Sequence, residues 1–315
     1  MQKLILHVGM SKTATTTVQT FLSSNRQWLL ERGVLYPQMQ GSINHRLWGE
    51  RLAAPVDSVE FTQAHAYFAD TVGAAAAAHP DAAVLISFEG LFELSSRPRP
   101  KQRTRKLLAS LSGFDVRPLA YLRRQDRWYE SVYNQHVKTG GETDSLEVFV
   151  ERLQKRGRVD LDERCGFFCD HFGPDNVTLR VFEPSQFSGG GMLFDFCEQL
   201  GIDSLSGATI PANTNRGLSG GVLEAKRAIN PALKWLWMRR VGKHASMYVQ
   251  RWVGEGGARL MPYSMATQLM EHHAAGNERV AREFLNRADG RLFTSGPVDE
   301  GEWEHFEPPS WLKSS

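Results

Sequence analysis

Four short stretches of the chain read as strands: LILHV at 4–8, AAVLISF at 82–88, VRPLAYL at 116–122 and VTLRVFE at 177–183. The second is apolar throughout, as in a strand covered on both faces of a parallel sheet. Between these runs the apolar spacing changes to three and four, the period of a helix. Val18, Phe21 and Leu22 open the first helix, and SSNRQWLLERG holds a short second one, capped by Ser24 or Asn25 and ended by Gly33. An alanine-rich helix over 60–79 ends near His79-Pro80. QDRWYESVYNQHVK is a helix with Asp126 as its cap and Gly140-Gly141 as its stop. Tyr129, Tyr133, His136 and Val137 share one face of it, and Ser131 falls off that face. Residues 145–172 are helical, with Leu146, Phe149, Val150 and Leu153 as the apolar stripe, and Gly189–Gly191 open a helix carrying Phe194, Phe196, Cys197 and Leu200. Strands alternating with helices predict an α/β fold with a central parallel sheet and helices on both faces. No repeat or domain boundary shows, so 1–315 reads as one domain, with a helical cap at about 204–290 and a loose tail after about 298.

Candidate chemistry concentrates at the first strand's end, in HVGMSKTATTTVQ. Ser11, Lys12, Thr13, Ala14, Thr15, Thr16 and Thr17 lie between a strand and a helix start. The first N–H groups of a helix lack intrahelical partners, and the helix dipole favours negative charge there. Lys12 adds a positive charge and the threonines add hydroxyls, which makes an anion cradle. The GxxxxGK[ST] phosphate pattern fails, because Ser11 precedes the lysine and His7 replaces the first glycine.

HVGMSKTATTTVQ resembles the bacterial HxGxxKTGTTxxQ loop of the sulfotransferase family. The family's fold is related to P-loop nucleotide folds (P-loop-NTPase-like). Its donor is 3′-phosphoadenosine 5′-phosphosulfate (PAPS), whose 5′-phosphosulfate the loop holds. Ala14 stands where glycine is usual; alanine resists positive φ, and no donor is lost. The family's ISSE is similar to ISFE here, which puts Glu89 at a strand end as a candidate base. His45, in SINHRLWGERL, is the other candidate for binding or deprotonating an acceptor. LRRQDRWYESVYNQ resembles the family's strand–helix signature. The resemblance implies that Arg123 and Ser131, eight residues apart, hold the 3′-phosphate. Phe182, directly before Glu183, would pack on the adenine. Arg216 and Gly217, in PANTNRGLSGG, would close over the 3′-phosphate, and NERVAREFLNRADGRLF is similar to the closing helix. The activity implied is sulfuryl transfer from PAPS to a hydroxyl or amine without a metal.

The composition is that of an ordinary globular protein, 41% hydrophobic and 23% charged. A net charge of +2 gives no polyanion signature and no reason to expect nucleic acid as a partner. No apolar run approaches the ~20 residues of a membrane span; a cytoplasmic location is expected. Cys165, Cys169 and Cys197 sit among apolar residues and read as buried small hydrophobes. Residues 95–106 form a basic, Pro-containing loop, and from Lys226 to Arg251 there are seven Lys/Arg and no acid, with Trp235 and Trp237 inside and Trp252 beside the stretch. Basic, tryptophan-bearing segments suit a carbohydrate or lipid-linked sugar acceptor, or peripheral contact with a membrane. Two rivals remain: a nucleotide-dependent kinase, which needs a metal-holding set not found here, and a non-catalytic nucleotide- or glycan-binding module, for which Ala14 argues.

Overall fold

The computed structural model describes residues 1–39, 42–46, 49, 58–88, 90–94, 108–109, 111–155, 159–212, 217–235, 243–249, 259–295 and 303–307. The strands are β1 Lys3–His7, β2 Val34–Leu35, β3 Ala83–Ser87, β4 Asp115–Leu122 and β5 Thr178–Val181. The helices used below are α1 Thr15–Ser24, α2 Arg26–Leu30, α3 Val59–Phe68, α4 Ala74–Ala78, α5 Gly90–Leu94, α6 Gln125–Lys138, α7 Leu146–Gln154, α8 Leu161–Phe172, α9 Met192–Gln199, α10 Gly220–Trp235 and α11 Tyr263–His272. They belong to two compact units. One comprises Met1–Arg123, Asp160–Ala212 and Gly276–Thr294; the other comprises Arg124–Val159, Asn213–Ala275 and Ser295–Ser315. Each is assembled from three separated stretches, so no linker in the sequence marks the division.

The first unit contains the expected α/β sheet, five parallel strands in the order β2-β3-β1-β4-β5. Leu4–His7 of β1 and Val84–Ser87 of β3 are buried at every position, so both faces of the sheet are covered. The core joins Phe21 and Leu22 of α1 and Trp28 and Leu29 of α2 to Ile5, Leu85, Tyr121 and Phe196. Burying each large side chain of this kind contributes ~1.5–3 kcal/mol. Beside it, the Asp195 carboxylate accepts from the Tyr121 hydroxyl at 2.5 Å and the Ser188 amide at 2.9 Å, and pairs with Arg180. Burial alone raises the Asp195 pKa; the bonds from Arg180, Tyr121 and Ser188 outweigh it and hold the carboxyl below its ordinary value. All three cysteines are free and buried, and burial pushes the Cys197 thiol up to about 12.

In the second unit α6 presents Tyr129, Tyr133 and Val137 to the interior, while His136 lies exposed. Asp126 is not the cap. Arg124 takes the cap position without a side-chain bond, and Asp126 lies buried in the first turn, accepting from Arg124 Nε and Nη2, each at 2.7 Å, and Arg259 Nη2 at 3.1 Å. Glu130 accepts from the Leu260 and Met261 amides, each at 2.8 Å.

Other details differ from the sequence reading. β2 was not expected: two residues after Gly33 are too short for a period to show. Asn25 stands at the α2 cap position, but its side chain bonds Phe21 O and the Thr209 backbone instead. Helix 60–79 is interrupted by a π-turn at Ala69–Gly73, and 145–172 is two helices, α7 and α8. The tail is not loose throughout, because Trp303 is buried with its indole N–H on Met261 O at 2.9 Å, and His305 bridges to Arg259.

Candidate active site at the end of β1

β1 lies between β3 and β4, where the strand order changes direction. Ligands of open α/β sheets bind outside the carboxyl ends of strands at such a point. The chain leaves β1 through Val8, whose amide donates to Leu119 O at 3.0 Å, and Met10, whose amide donates to Tyr121 O at 3.4 Å. These bonds tie the loop to β4. The loop then turns with positive φ at Gly9 (35°), Lys12 (68°) and Ala14 (58°). Ala14 therefore occupies the left-handed conformation that its side chain disfavours. Thr13 is buried and its hydroxyl donates to Met10 O at 2.6 Å, so it braces the loop rather than facing a ligand. Ala14 is the α1 cap position and offers no side-chain bond. The amides of Thr15, Thr16 and Thr17 open the helix, as the sequence pattern requires for an anion cradle.

Arg123 follows β4. Its guanidinium donates to the Lys12 carbonyl, and its carbon lies 5.5 Å from the centre of the Phe182 ring. Its amide donates to Met10 Sδ at 3.4 Å. Phe182 follows β5, with its amide on Leu122 O at 2.7 Å and its ring edge-on to Phe187. Lys12, Arg123 and Phe182, distant in sequence, thus meet at the carboxyl ends of β1, β4 and β5.

Glu89 and Arg216 lie outside the described residues, as does the basic loop 95–106. Ser131, on α6, and Gly217 belong to the second unit. Gly217 runs beside Asn134, whose side chain exchanges two bonds with the Leu218 backbone, at 2.7 and 3.0 Å.

His45 differs most from expectation. It is 1% exposed, and both ring nitrogens are committed to the backbone: Nδ1 accepts from the Ser87 amide at 3.1 Å, and Nε2 lies 3.2 Å from Pro37 O. Desolvation lowers its pKa to about 4, so it is neutral at pH 7. In this arrangement neither nitrogen is open to an acceptor hydroxyl, and the residue fastens 42–46 to the end of β3. A second histidine, His7, is fully buried with Nδ1 2.9 Å from the Ser87 hydroxyl. Desolvation lowers its pKa to about 4 as well.

No family model matches the chain. It is similar to an uncharacterized protein of Archaeoglobus fulgidus, 30% identical over 115 residues, which are 36% of this chain and 30% of that protein. The chain thus spans about a third of the length of the curated relative it matches. Among solved structures it is similar to the crystal structure of a sulfotransferase from Alicyclobacillus acidocaldarius, covering 79% of this chain and 96% of that one, with a TM-score of 0.42 and 16% identity. A likeness that slight carries no argument about activity.

Sequence reasoning quoted His7 and Gln19 within HVGMSKTATTTVQ and Ser87 within ISFE, but gave none of the three a role. The usable signal was a histidine inside an otherwise apolar strand, since a buried polar side chain needs a partner. No helix among the described residues is long and apolar enough to cross a membrane.

Proposed function

We propose that the protein is a sulfotransferase that takes the sulfuryl group from 3′-phosphoadenosine 5′-phosphosulfate. The observation that carries this reading is the convergence of Lys12, Arg123 and Phe182 beside the N-terminus of α1. The residues fit such a donor. Loop amides and the α1 N-terminus suit its 5′-phosphate, with the hydroxyls of Ser11, Thr15, Thr16 and Thr17 nearby. A guanidinium suits a second phosphate, and a half-buried phenylalanine suits a purine face. Ser131 enters through its spacing from Arg123 in sequence alone.

In the reaction, an acceptor oxygen or nitrogen attacks sulfur while the bond from sulfur to the 5′-phosphate oxygen breaks. Negative charge grows on that leaving oxygen, and Lys12 stabilises it. The acceptor's proton passes to a base. Glu89, two residues beyond β3, is the candidate, because His45 has no nitrogen to spare. The acceptor we propose is a carbohydrate or glycolipid, on the strength of the basic, tryptophan-bearing stretch in which Trp235 is 79% exposed.

The test is thermal stabilisation by adenosine 3′,5′-bisphosphate compared with ATP and Mg²⁺, followed by transfer of labelled sulfate from the donor to extracted glycans. Bisphosphate should stabilise more, and Lys12→Ala should abolish transfer. Equal or greater stabilisation by ATP with Mg²⁺ refutes the reading in favour of a kinase. Binding without transfer to any acceptor favours the non-catalytic module.

A further inference from the structure

His7 is buried with one ring nitrogen occupied and the other, Nε2, without a hydrogen-bond partner among the described residues. The direction of the hydrogen bonds leading to it can be read from a backbone group. The Arg46 amide, which can only donate, lies 3.2 Å from Asn44 Oδ1. The Asn44 nitrogen therefore faces Gln19 and donates to Gln19 Oε1 at 2.9 Å. This turns Gln19 Nε2 toward the Ser87 hydroxyl, to which it donates at 3.1 Å. Among the described residues the Ser87 hydroxyl meets only Gln19 Nε2, which can only donate, and His7 Nδ1, so His7 Nδ1, at 2.9 Å, is the acceptor within reach of the Ser87 hydrogen. A neutral imidazole that accepts at Nδ1 carries its proton at Nε2. Every bond in the relay runs one way and ends on a buried N–H with no acceptor among the described residues.

That N–H abuts the anion cradle. A methyl group placed on Gly9 would sit 3.0 Å from His7 Nε2 and 3.2 Å from Thr15 Cγ2, between the start of the loop and the first residue of α1. Leaving a buried donor unsatisfied is costly, and here it stands against a helix N-terminus whose own amides also open outward. We propose that His7 is a further binding residue of the cradle, held as the Nε2–H tautomer by the Asn44–Gln19–Ser87 relay, and that Nε2–H donates to an oxygen of the oxyanion bound at the start of α1. The oxyanion is the 5′-phosphate if the donor reading above holds, but the relay itself requires only a phosphate-like group.

The test uses the full chain with ¹⁵N-labelled histidine at pH 7. Long-range ¹H–¹⁵N spectra should show His7 as the Nε2–H tautomer, and its Nε2–H resonance should move when adenosine 3′,5′-bisphosphate is added. Calorimetry should show bisphosphate affinity falling at least tenfold in His7→Phe, and recovering to within about threefold in His7→Gln, whose amide nitrogen reaches the same place; a hydrogen bond to a charged group carries that much. Should His7→Phe fail to fold, the tautomer and the ligand-induced shift in the wild-type protein still decide. An Nδ1–H tautomer, a folded His7→Phe with undiminished affinity, or a resonance that moves with neither bisphosphate nor inorganic pyrophosphate overturns the proposal. A resonance that moves with pyrophosphate in a protein that ignores the bisphosphate supports the His7 role and refutes the nucleotide reading.

Discussion

Two fully buried neutral histidines hang on Ser87, and together they should make the first unit lose stability in mild acid. His7 and His45 both have pKa values lowered from 6.5 to about 4, in each case chiefly by desolvation. The unfolded chain takes up a proton on each as pH falls through 6.5, whereas the folded chain resists until about 4. The unfolded state thus binds more protons across that window, and stability falls as pH falls through it. With both folded pKa values at about 4, lowering the pH from 7 to 5 costs about 2 kcal/mol per histidine, or about 4 kcal/mol for the pair. Asp126 and Asp195 do not confuse the measurement. Their carboxyls are held below the ordinary value, so their contribution stays in place down to the carboxylate range and is lost only below it. The assay is urea unfolding followed by circular dichroism at pH 7, 6 and 5. The His7→Gln variant should lose about half of the pH dependence over this range. A stability that does not change between pH 7 and 5 would refute the assignment of these histidines as buried and neutral.

Further outcomes follow from single contacts. Ala14→Gly should stabilise the protein by about 1 kcal/mol in urea unfolding, because relief of a left-handed alanine (~1–2 kcal/mol) exceeds the extra entropy of an unfolded glycine (~0.5–1 kcal/mol) and glycine is the better cap; destabilisation would show that the loop does not hold φ near 58°. Asp195→Ala leaves Arg180 and Tyr121 facing a buried gap and should cost ~3 kcal/mol or more, read as a shift in urea midpoint; a shift worth less than 1 kcal/mol would refute the ion pair. Arg123→Ala removes the bond to the Lys12 carbonyl and the cation over Phe182, so bisphosphate affinity should drop at least tenfold with little change in unfolding midpoint, as expected for loss of a charge-assisted bond; unaltered affinity counts against its role.

Much of the sheet was legible because β1 and β3 are buried on both faces and so read as apolar runs. The loop was legible because an anion cradle needs recognisable residue types: a lysine, hydroxyls and a helix start. Arg123 and Phe182 were expected near it only through the resemblance to the sulfotransferase family; the structure brings them together because they follow β4 and β5, neighbours on one side of β1. What escaped the sequence depended on partners far away in the chain. Nothing in SINHRLW says that both His45 nitrogens will be taken by the backbone of residues 37 and 87. Nothing near Asp126 says that Arg259 will reach it, so a helix-cap reading was the natural local one. His7 was hidden by the same long-range logic, since its partner hydroxyl lies 80 residues away.

The interleaving of the two units bears on how the protein emerges from a ribosome. β1, β3 and β4 all lie within the first 122 residues and can pair early. The same unit still lacks β5 until residue 181 and its closing segment, Gly276–Thr294, until about 150 residues after β4. That segment supplies Thr294, whose amide and hydroxyl donate to buried Glu183 at 2.9 and 3.0 Å. At ~5–20 residues per second, the gap between β4 and this last piece lasts on the order of ten seconds or more. For the first part of that interval, about 60 residues until β5 pairs with β4, the nascent sheet presents an unpaired β4 edge, and a chaperone that shields such edges should be found on ribosomes translating this message.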